Sequence, residues 1–359
     1  MKAIVVTPGR PGAQIKEVKD EGKGKVRLRI LENGICGTDR EIVSGKILTL
    51  TPPPGKKELI LGHEALAVVE EDYEGLKKGD IVMPVNRRPC TKGDLNCLIG
   101  RPDYCETGEF LEAGIKGMDG FMREYWYDDP RYLVKVPPAI RDIAIMAQPL
   151  SDIEKSVEDI LFVQRRLVWT CEDGTYSCRK AAVLGTGPIG ILFSLLLKTY
   201  GFDVWAVNRR EPKERESTIF EAADINFYNS SKGMSGLGKV DLFIDATGSS
   251  VDIIKEGLSS LKNDGVLGLF GFPRAGQLTL DFEEVQRFQH AANLAIGLVN
   301  GQKPHFQRAL VHLAAWKSMW PAVTKNLITK EIRIDEEREV LDALNQKIPG
   351  EIKVKITWV

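Results

Sequence analysis

A glycine-rich segment near the middle of the chain constrains the fold more than any other feature. Gly185, Gly187 and Gly190 follow the apolar run 181–184 and precede the apolar segment 189–200. A short apolar run is typical of a buried strand, whereas the longer segment has the apolar spacing of a helix. Three glycines between them allow a tight turn and close packing of helix on strand. The sequence therefore predicts a strand, turn and helix that belong to a parallel sheet.

The same alternation continues to about residue 300. Helical stretches separate further strand-like runs at 204–207, 242–244, 266–270 and 295–299. Strands that alternate with helices predict a doubly wound parallel sheet.

The remainder of the chain has a different texture. Up to about residue 150, short β-like runs such as 4–6, 26–30 and 81–83 are punctuated by Gly and Pro, which is typical of a β-rich domain with long loops. A helix is predicted over 153–166, and the alternating run 351–356 predicts a strand that returns to the first domain. We therefore predict an α/β protein: a β-rich catalytic domain of residues 1–180 and 301–359, and a dinucleotide-binding domain of residues 181–300.

Length and charge favour a two-domain protein with a small-molecule partner. The 359 residues exceed what one compact core usually holds. The 49 basic and 50 acidic residues nearly cancel, so nothing favours nucleic acid or an anionic membrane as partner. We find neither an apolar run long enough for a membrane helix nor an N-terminal signal peptide, and expect a cytoplasmic protein.

The glycine-rich segment also predicts a nucleotide site. Gly185-Thr186-Gly187-Pro188-Ile189-Gly190 lets a pyrophosphate approach the N-terminus of the following helix. The second strand then leads into Asn208, Arg209 and Arg210, where an acidic residue would select NAD. A neutral amide and two guanidinium groups suit the 2′-phosphate of NADP instead. We expect NADP to bind well and NAD to be accepted; the alternatives are a ligand-free turn and two ordinary solvated arginines.

Three potential metal ligands lie in the N-terminal part. Cys36 stands in Cys-Gly-Thr-Asp, and His63 and Glu64 stand in Gly-His-Glu. Thiolate, imidazole and carboxylate are ligands of an open catalytic zinc site. Each alone is more often a buried thiol, a core histidine or a surface carboxylate, but together and ahead of a dinucleotide domain they predict a catalytic zinc.

A second group of thiols lies within one loop. Cys90, Cys97 and Cys105 need a fourth ligand to hold a tetrahedral structural zinc, and Asp94 has the spacing of a missing cysteine. The alternative is a metal-free loop with reduced thiols. Cys171 and Cys178 flank a hairpin turn signal at 172–175, where a cross-strand disulfide and buried free thiols both remain open.

With these motifs assembled, the chain resembles the zinc-containing medium-chain dehydrogenase/reductase superfamily over its whole length, and within it the archaeal glucose dehydrogenases. That resemblance implies a GroES-like catalytic domain and a Rossmann domain. It rests on 34–41 (Gly-Ile-Cys-Gly-Thr-Asp-Arg-Glu), 61–65 (Leu-Gly-His-Glu-Ala), 83–88 (Met-Pro-Val-Asn-Arg-Arg), 120–124 (Gly-Phe-Met-Arg-Glu), 148–150 (Gln-Pro-Leu) and 297–301 (Gly-Leu-Val-Asn-Gly). The chain departs from the superfamily in the thiol loop, which usually has four cysteines and here has three.

The resemblance implies roles for individual residues. Gln148 would lie near the catalytic zinc, directly or through water, and Thr38 would be the first proton acceptor of a relay. Sugar contacts are implied for Thr38, Asn86, Glu112, Gln148, Asp152, His290 and Asn300. Cofactor contacts are expected from Thr247, Asn300 and Lys347 beside the glycine-rich segment and Asn208–Arg210.

The implied activity is the oxidation of an aldose, D-glucose above all, at C1 to the aldonolactone with NADP or NAD. The alternatives are a polyol or secondary-alcohol dehydrogenase on the same scaffold, and a nucleotide-binding protein without catalysis. The resemblance also implies a homo-oligomer, either a tetramer or a dimer.

Overall fold

The computed structural model describes residues 1–22, 24–47, 50–248, 250–273, 275–348 and 350–358. It divides into two compact units. Unit 1 comprises Met1–Ser151, Gly301–Met319 and Leu327–Val359, and unit 2 comprises Asp152–Asn300 and Trp320–Asn326. In this division residues 152–180 group with unit 2.

The first part of the chain is mainly strands. Its elements are β1 (Lys2–Val6), β2 (Gln14–Glu17), β3 (Val26–Ile35), α1 (Gly37–Val43), β4 (Leu59–Ile60), β5 (Ala65–Val69), β6 (Ile81–Pro84), β7 (Arg87–Arg88), α2 (Leu95–Leu98), β8 (Leu111–Ala113), β9 (Gly117–Met118), β10 (Tyr125–Asp128) and β11 (Leu133–Lys135).

Strands and helices alternate in the middle of the chain. They are α3 (Ala147–Val163), β12 (Lys180–Leu184), α4 (Pro188–Thr199), β13 (Asp203–Asn208), α5 (Glu214–Ala222), β14 (Asn226–Asn229), β15 (Val240–Asp245), α6 (Asp252–Ser260), β16 (Leu261–Leu269), α7 (Phe282–His290) and β17 (Leu294–Gly297). The C-terminal part contains α8 (Lys303–Met319), α9 (Pro321–Leu327), β18 (Ile328–Arg333), α10 (Glu337–Asn345) and β19 (Lys353–Thr357).

The main sheet of unit 1 is built around β3. Its strands follow the order β11-β6-β5-β3-β19-β18, and β10 also pairs with β3. The C-terminal strand β19 runs antiparallel to β3, with Val354 opposite Ile35. The prediction that the last strand returns to the first domain is therefore confirmed. Two three-stranded sheets, β2-β1-β4 and β7-β8-β9, complete the strand pairing described for this unit.

Unit 2 contains a six-stranded sheet of order β14-β13-β12-β15-β16-β17, in which every neighbouring pair is parallel. The central strands are buried because helices cover both faces, which explains their continuous apolar runs. The doubly wound parallel sheet is thus confirmed. β16 starts earlier than predicted, at Leu261, and its register with β15 shifts between Val240 and Leu242.

The segment 171–178 differs from its predicted hairpin. It forms turns without strands, because Asp173 turns the chain locally: its Oδ1 accepts hydrogen bonds from the Thr175 amide and hydroxyl at 2.9 and 2.7 Å. Cys171 and Cys178 form a disulfide with a Cα–Cα distance of 5.9 Å. The alternative of free thiols is wrong for this pair, and so is the cross-strand setting.

No helix in the described parts of the chain combines the length and the apolarity that a bilayer-spanning segment needs.

Candidate active site

Two neighbouring strands bring the predicted zinc ligands together. Cys36 directly follows β3 and caps the N-terminus of α1. His63 and Glu64 directly precede β5, which pairs with β3 so that Asn33 lies opposite Ala65. As a result, donor atoms of Cys36, His63 and Glu64 lie within 4.8 Å of one another.

These three residues fit a catalytic zinc. Thiolate, imidazole and carboxylate are its usual ligands, and three protein ligands leave a fourth coordination position for water or substrate. Glu64 is fully buried, with 0 % exposure, so it is not the surface carboxylate of the alternative interpretation. His63 is also buried, with 5 % exposure.

Asp39 orients the ligands and was not singled out from the sequence. Its Oδ2 accepts a hydrogen bond from the Cys36 amide at 2.8 Å, and its Oδ1 lies 3.4 Å from Nδ1 of His63. A carboxylate beside one imidazole nitrogen leaves the other for a metal. Its position three residues after the helix-capping cysteine is the sequence signal that could have revealed it.

The charges around His63 act on its proton affinity in the metal-free protein. Burial lowers the pKa of His63, but the negative charges of Asp39 and Cys36 outweigh this effect and raise the pKa well above its ordinary value. Zinc binding requires a neutral imidazole, so the metal must displace a tightly held proton.

Lys353 is a further partner that sequence analysis missed. Its Nζ donates to both carboxylate oxygens of Glu64 at 2.7 Å, and the two side chains are 3 % and 0 % exposed. The pairing of β19 with β3 brings Lys353 next to Glu64, although the two residues are 289 positions apart in the sequence. A lysine within a buried alternating strand was the only available signal, because such a charge needs a partner.

Gly34 makes room for this ion pair. A Cβ at this position would lie 1.9 Å from Oε2 of Glu64, which is far inside van der Waals contact. The close approach of the carboxylate to β3 therefore requires glycine at this position.

The second group of candidate ligands also comes together. Donor atoms of Cys90, Asp94, Cys97 and Cys105 lie within 4.8 Å of one another. Oδ2 of Asp94 accepts from Sγ of Cys90 at 3.0 Å and from Sγ of Cys105 at 3.4 Å. Three thiols and one carboxylate fit a closed tetrahedral zinc, and this geometry supports Asp94 as the fourth ligand.

The protonation of this loop without metal reflects the same contacts. Hydrogen bonds from Cys90 and Cys97 hold the pKa of Asp94 below its ordinary value. Burial raises the pKa of Cys97 to about 12. Asp94 is thus ionised and ready to ligate, whereas Cys97 must lose a proton when a metal binds.

In unit 2 the predicted cofactor residues collect at one edge of the parallel sheet. Gly185, Thr247 and Asn300 follow the carboxyl ends of β12, β15 and β17, and Asn208 ends β13. Ligands of open parallel sheets bind at this edge. A Cβ on Gly190 would lie 1.9 Å from the carbonyl oxygen of Gly185, so the glycine-rich turn fits the close packing that a pyrophosphate site needs.

The two arginines after β13 have different surroundings. Arg210 forms a bidentate ion pair with Glu216, with contacts of 2.6 and 2.7 Å. Asn208 Nδ2 donates to Thr186 Oγ1 at 2.6 Å. Arg209 is exposed, and its guanidinium has no hydrogen-bond or ion-pair partner among the described residues. Glu216 was not identified from the sequence, because it lies on the following helix rather than at the strand end.

Two of the predicted sugar-binding residues lie side by side in unit 1. Asn86 Nδ2 donates to Glu112 Oε1 at 3.3 Å, and Arg87 Nη2 donates to Glu112 Oε2 at 3.0 Å. All three side chains are buried. Oδ1 of Asn86 is buried as well and accepts no hydrogen bond from the described residues, so it has capacity for a ligand hydroxyl.

The other predicted residues belong to different elements. Thr38 Oγ1 is 3.8 Å from Cys36 Sγ, beside the proposed metal. Gln148 is buried in the first turn of α3, and Asp152 lies one turn later. Lys347 is exposed between α10 and β19. The contacts proposed for these residues stay predictions.

His290 has the weakest structural support. It is exposed at the end of α7, just before β17. The neighbouring Ala291 carbonyl accepts from the Asp264 amide near the start of β16 at 2.6 Å. His290 thus lies near the amino ends of the strands, opposite the edge that collects the cofactor residues, and its sugar contact stays a prediction.

Comparisons with known proteins show the relatives of this chain. Residues 22–138 match the alcohol dehydrogenase GroES-like domain, and residues 141–356 match the glucose dehydrogenase C-terminus. Glucose 1-dehydrogenase 2 of Saccharolobus solfataricus is 61% identical, and that of Caldivirga maquilingensis is 57% identical, each over 100% of both chains. A solved structure of Haloferax mediterranei glucose dehydrogenase in complex with NADP, Zn and gluconolactone is 26% identical. It has a TM-score of 0.87 and covers 100% of this chain and 99% of its own.

The two proposed metal sites are tested by a matched pair of variants. Cys36→Ala and Cys105→Ala each remove one half-buried thiol. Each variant is expected to lose about one zinc per chain, but only Cys105→Ala lowers the unfolding temperature clearly, because closed sites contribute more to folding than open ones. Elemental analysis and thermal unfolding measure both effects. Full zinc content in either variant refutes the corresponding site.

The fourth ligand of the closed site is tested at Asp94. Asp94→Ala is expected to lower zinc content and unfolding temperature together, whereas Asp94→Cys keeps both because a thiolate completes the same tetrahedron. Asp103, which pairs with Arg101 in the same loop, provides the control variant Asp103→Ala with unchanged zinc. Unchanged zinc in Asp94→Ala would mean that another group is the ligand.

The Glu64–Lys353 pair is tested by unfolding. Lys353→Met leaves a buried carboxylate without its partner, and we expect the free energy of unfolding to fall by about 3–5 kcal/mol. Lys355→Met is the control on the same strand, because its partner Glu32 also pairs with Arg141. The double variant Glu64→Gln/Lys353→Met should recover part of the loss in denaturant titrations. Equal losses in the Lys353 and Lys355 variants would contradict the assignment.

Proposed function

Because this chain belongs to the glucose dehydrogenase family of zinc-containing medium-chain dehydrogenases, we propose that it oxidises D-glucose at C1 to the lactone with NADP. NAD serves as a second acceptor. The observation that carries this proposal is the pair Asn86 and Glu112, a buried amide and carboxylate side by side in a domain that also holds an open zinc donor set. A sugar presents a ring of hydroxyls, which such a polar wall can bind and an apolar pocket cannot.

When bound, zinc would supply a Lewis acid beside the C1 hydroxyl, and the nicotinamide would supply the hydride acceptor. The protein's own residues hold and orient these groups. Cys36, His63 and Glu64 hold the metal, and Asp39 fixes the orientation of His63. The Thr38 hydroxyl lies 3.8 Å from Cys36 Sγ, and this proximity supports the proposal that Thr38 takes the first proton.

Glu112 is proposed to select a ligand that carries a hydroxyl, because its carboxylate can accept a hydrogen bond from one. Arg87 and Asn86 both donate to it, so the carboxylate is fixed in position and has lone pairs left only for further donors. A sugar hydroxyl is such a donor, whereas a methylene would leave the buried carboxylate without that hydrogen bond. Asn300 at the carboxyl edge of unit 2, together with Gln148 and Asp152, completes the proposed set of sugar contacts. His290, at the opposite edge of that sheet, is left out of the set.

Two other functions fit the scaffold less well. A polyol or secondary-alcohol dehydrogenase would use the same zinc and cofactor residues. A simple alcohol, however, has no further hydroxyls that could hydrogen-bond to Asn86 and Glu112. A non-catalytic nucleotide-binding protein has no need of a zinc donor set, and here all three donors are present and close together.

A homo-oligomer in the cytoplasm is part of the same proposal. Support for assembly comes from apolar side chains on the thiol loop: Leu95, Leu98 and Ile99 are 67%, 73% and 65% exposed. Exposed apolar groups in a cluster are typical of protein interfaces. A cytoplasmic location suits an enzyme whose reduced cofactor other enzymes must reoxidise.

The substrate is tested by comparing glucose with a simple alcohol. Glu112→Gln and Asn300→Ala are expected to lower kcat/KM for glucose by about 10- to 100-fold, the cost of losing a hydrogen bond to a charged group or an amide. Turnover of a simple secondary alcohol should change little. Glu109→Gln, at an exposed glutamate just before β8, is the control for Glu112→Gln. If the unmodified enzyme prefers simple alcohols to every aldose, the proposed substrate is wrong.

A further inference from the structure

The hydrogen bonds of Arg210 are almost all used within the protein. A guanidinium has five N–H donors. Two of them bind the Glu216 carboxylate, a third binds the Glu211 carbonyl at 2.9 Å, and a fourth reaches Thr186 Oγ1 at 3.4 Å. Arg210 therefore has little capacity left to donate to a phosphate.

The ion pair also neutralises Arg210. The Glu216 side chain is 2% exposed and additionally accepts from the Lys213 amide at 2.8 Å, so its position is fixed by the start of α5. A buried carboxylate that contacts both terminal nitrogens cancels most of the field that Arg210 would otherwise exert on an anion. Arg209, which is exposed and unpaired among the described residues, is the cation left for a phosphate.

Arg210 still presents a surface to a ligand. Its side chain is 42% exposed although four of its N–H donors are occupied, and a planar guanidinium has two flat faces that these hydrogen bonds leave unused. Such faces are weakly hydrated and stack on aromatic rings. The aromatic part of the cofactor expected at the end of β13 is adenine.

We propose that Arg209 alone binds the 2′-phosphate of NADP, whereas Arg210, held flat by Glu216, stacks on adenine and serves NADP and NAD equally. Glu216 is then a positioning residue that limits the preference for NADP, because it removes one of two positive charges from the phosphate site. This assignment rests on the use of a nicotinamide dinucleotide and is independent of the sugar. From the sequence we expected both arginines to contact the phosphate; the proposal assigns this contact to Arg209 and a different one to Arg210.

The test measures dissociation constants of the zinc-loaded protein for NADP, NAD, adenosine monophosphate and its 2′-phosphorylated counterpart, by calorimetry. Arg209→Met should weaken NADP by about 10- to 100-fold and NAD hardly at all, as expected for one lost charge-assisted contact. Arg209→Lys should restore most NADP affinity because only a charge is needed there. Arg210→Met and Arg210→Lys should both weaken all four ligands by a similar factor of about five to ten, since lysine lacks the flat face.

Glu216→Gln provides a result that a merely structural role would not produce. The amide keeps the shape and the helix cap but removes the charge, so Arg210 is freed toward the phosphate and the preference for NADP over NAD should rise about three- to tenfold. Thermal unfolding confirms that each variant is folded. The proposal is overturned if Arg210→Met reduces the NADP preference as much as Arg209→Met does, or if Glu216→Gln lowers or leaves unchanged that preference. Failure of glucose oxidation with these binding results intact would refute the proposed substrate alone.

Discussion

The buried ion pair of Glu64 and Lys353 is the interaction on which unit 1 depends. It joins a side chain next to the histidine of the proposed metal site to a strand residue that lies 289 positions later in the sequence. Two buried charges are costly unless each has its partner, so the metal site and the docking of β19 on β3 support each other. Gly34 is needed for the same ion pair, because only glycine lets the carboxylate approach β3 so closely.

Charge balance explains why the metal site is built from these residues. Cys36 as a thiolate, Glu64 and Asp39 bring three negative charges, and Lys353 brings one positive charge. A divalent cation makes this buried group neutral, whereas without it the excess of negative charge raises the pKa of His63. Lys353 and Asp39 thus do more than orient the ligands. They set the net charge so that the site fits a divalent metal.

The fold was largely predictable from the sequence, because local patterns carry it. The glycine-rich turn, the apolar runs at 181–184 and 242–244 and the alternating run at 351–356 each specify their element within a few residues. The proposed zinc ligands Cys36, His63 and Glu64 could be singled out because they stand in short motifs, and the fold brings their donor atoms together. The roles of Lys353 and Glu216 could not be predicted, because each depends on a partner that only the fold brings into contact. The hairpin predicted at 172–175 was wrong because Asp173 closes a local turn, which a turn signal alone does not distinguish from a hairpin.

Polar side chains in both units are held in place by neighbours and still have capacity for a ligand. Arg87 and Asn86 hold Glu112, which keeps lone pairs for a further donor. Glu216 and Glu211 hold Arg210, whose flat face stays unused by hydrogen bonds. The residues beside them keep capacity in reserve: Oδ1 of Asn86 is buried without a donor among the described residues, and Arg209 has a free guanidinium. Leaving a buried acceptor unpaired costs about 1–3 kcal/mol, and a ligand hydroxyl at Asn86 would remove that cost. The proposed sugar and phosphate contacts therefore start from these two groups, which are held close to fixed neighbours and still have capacity for a ligand.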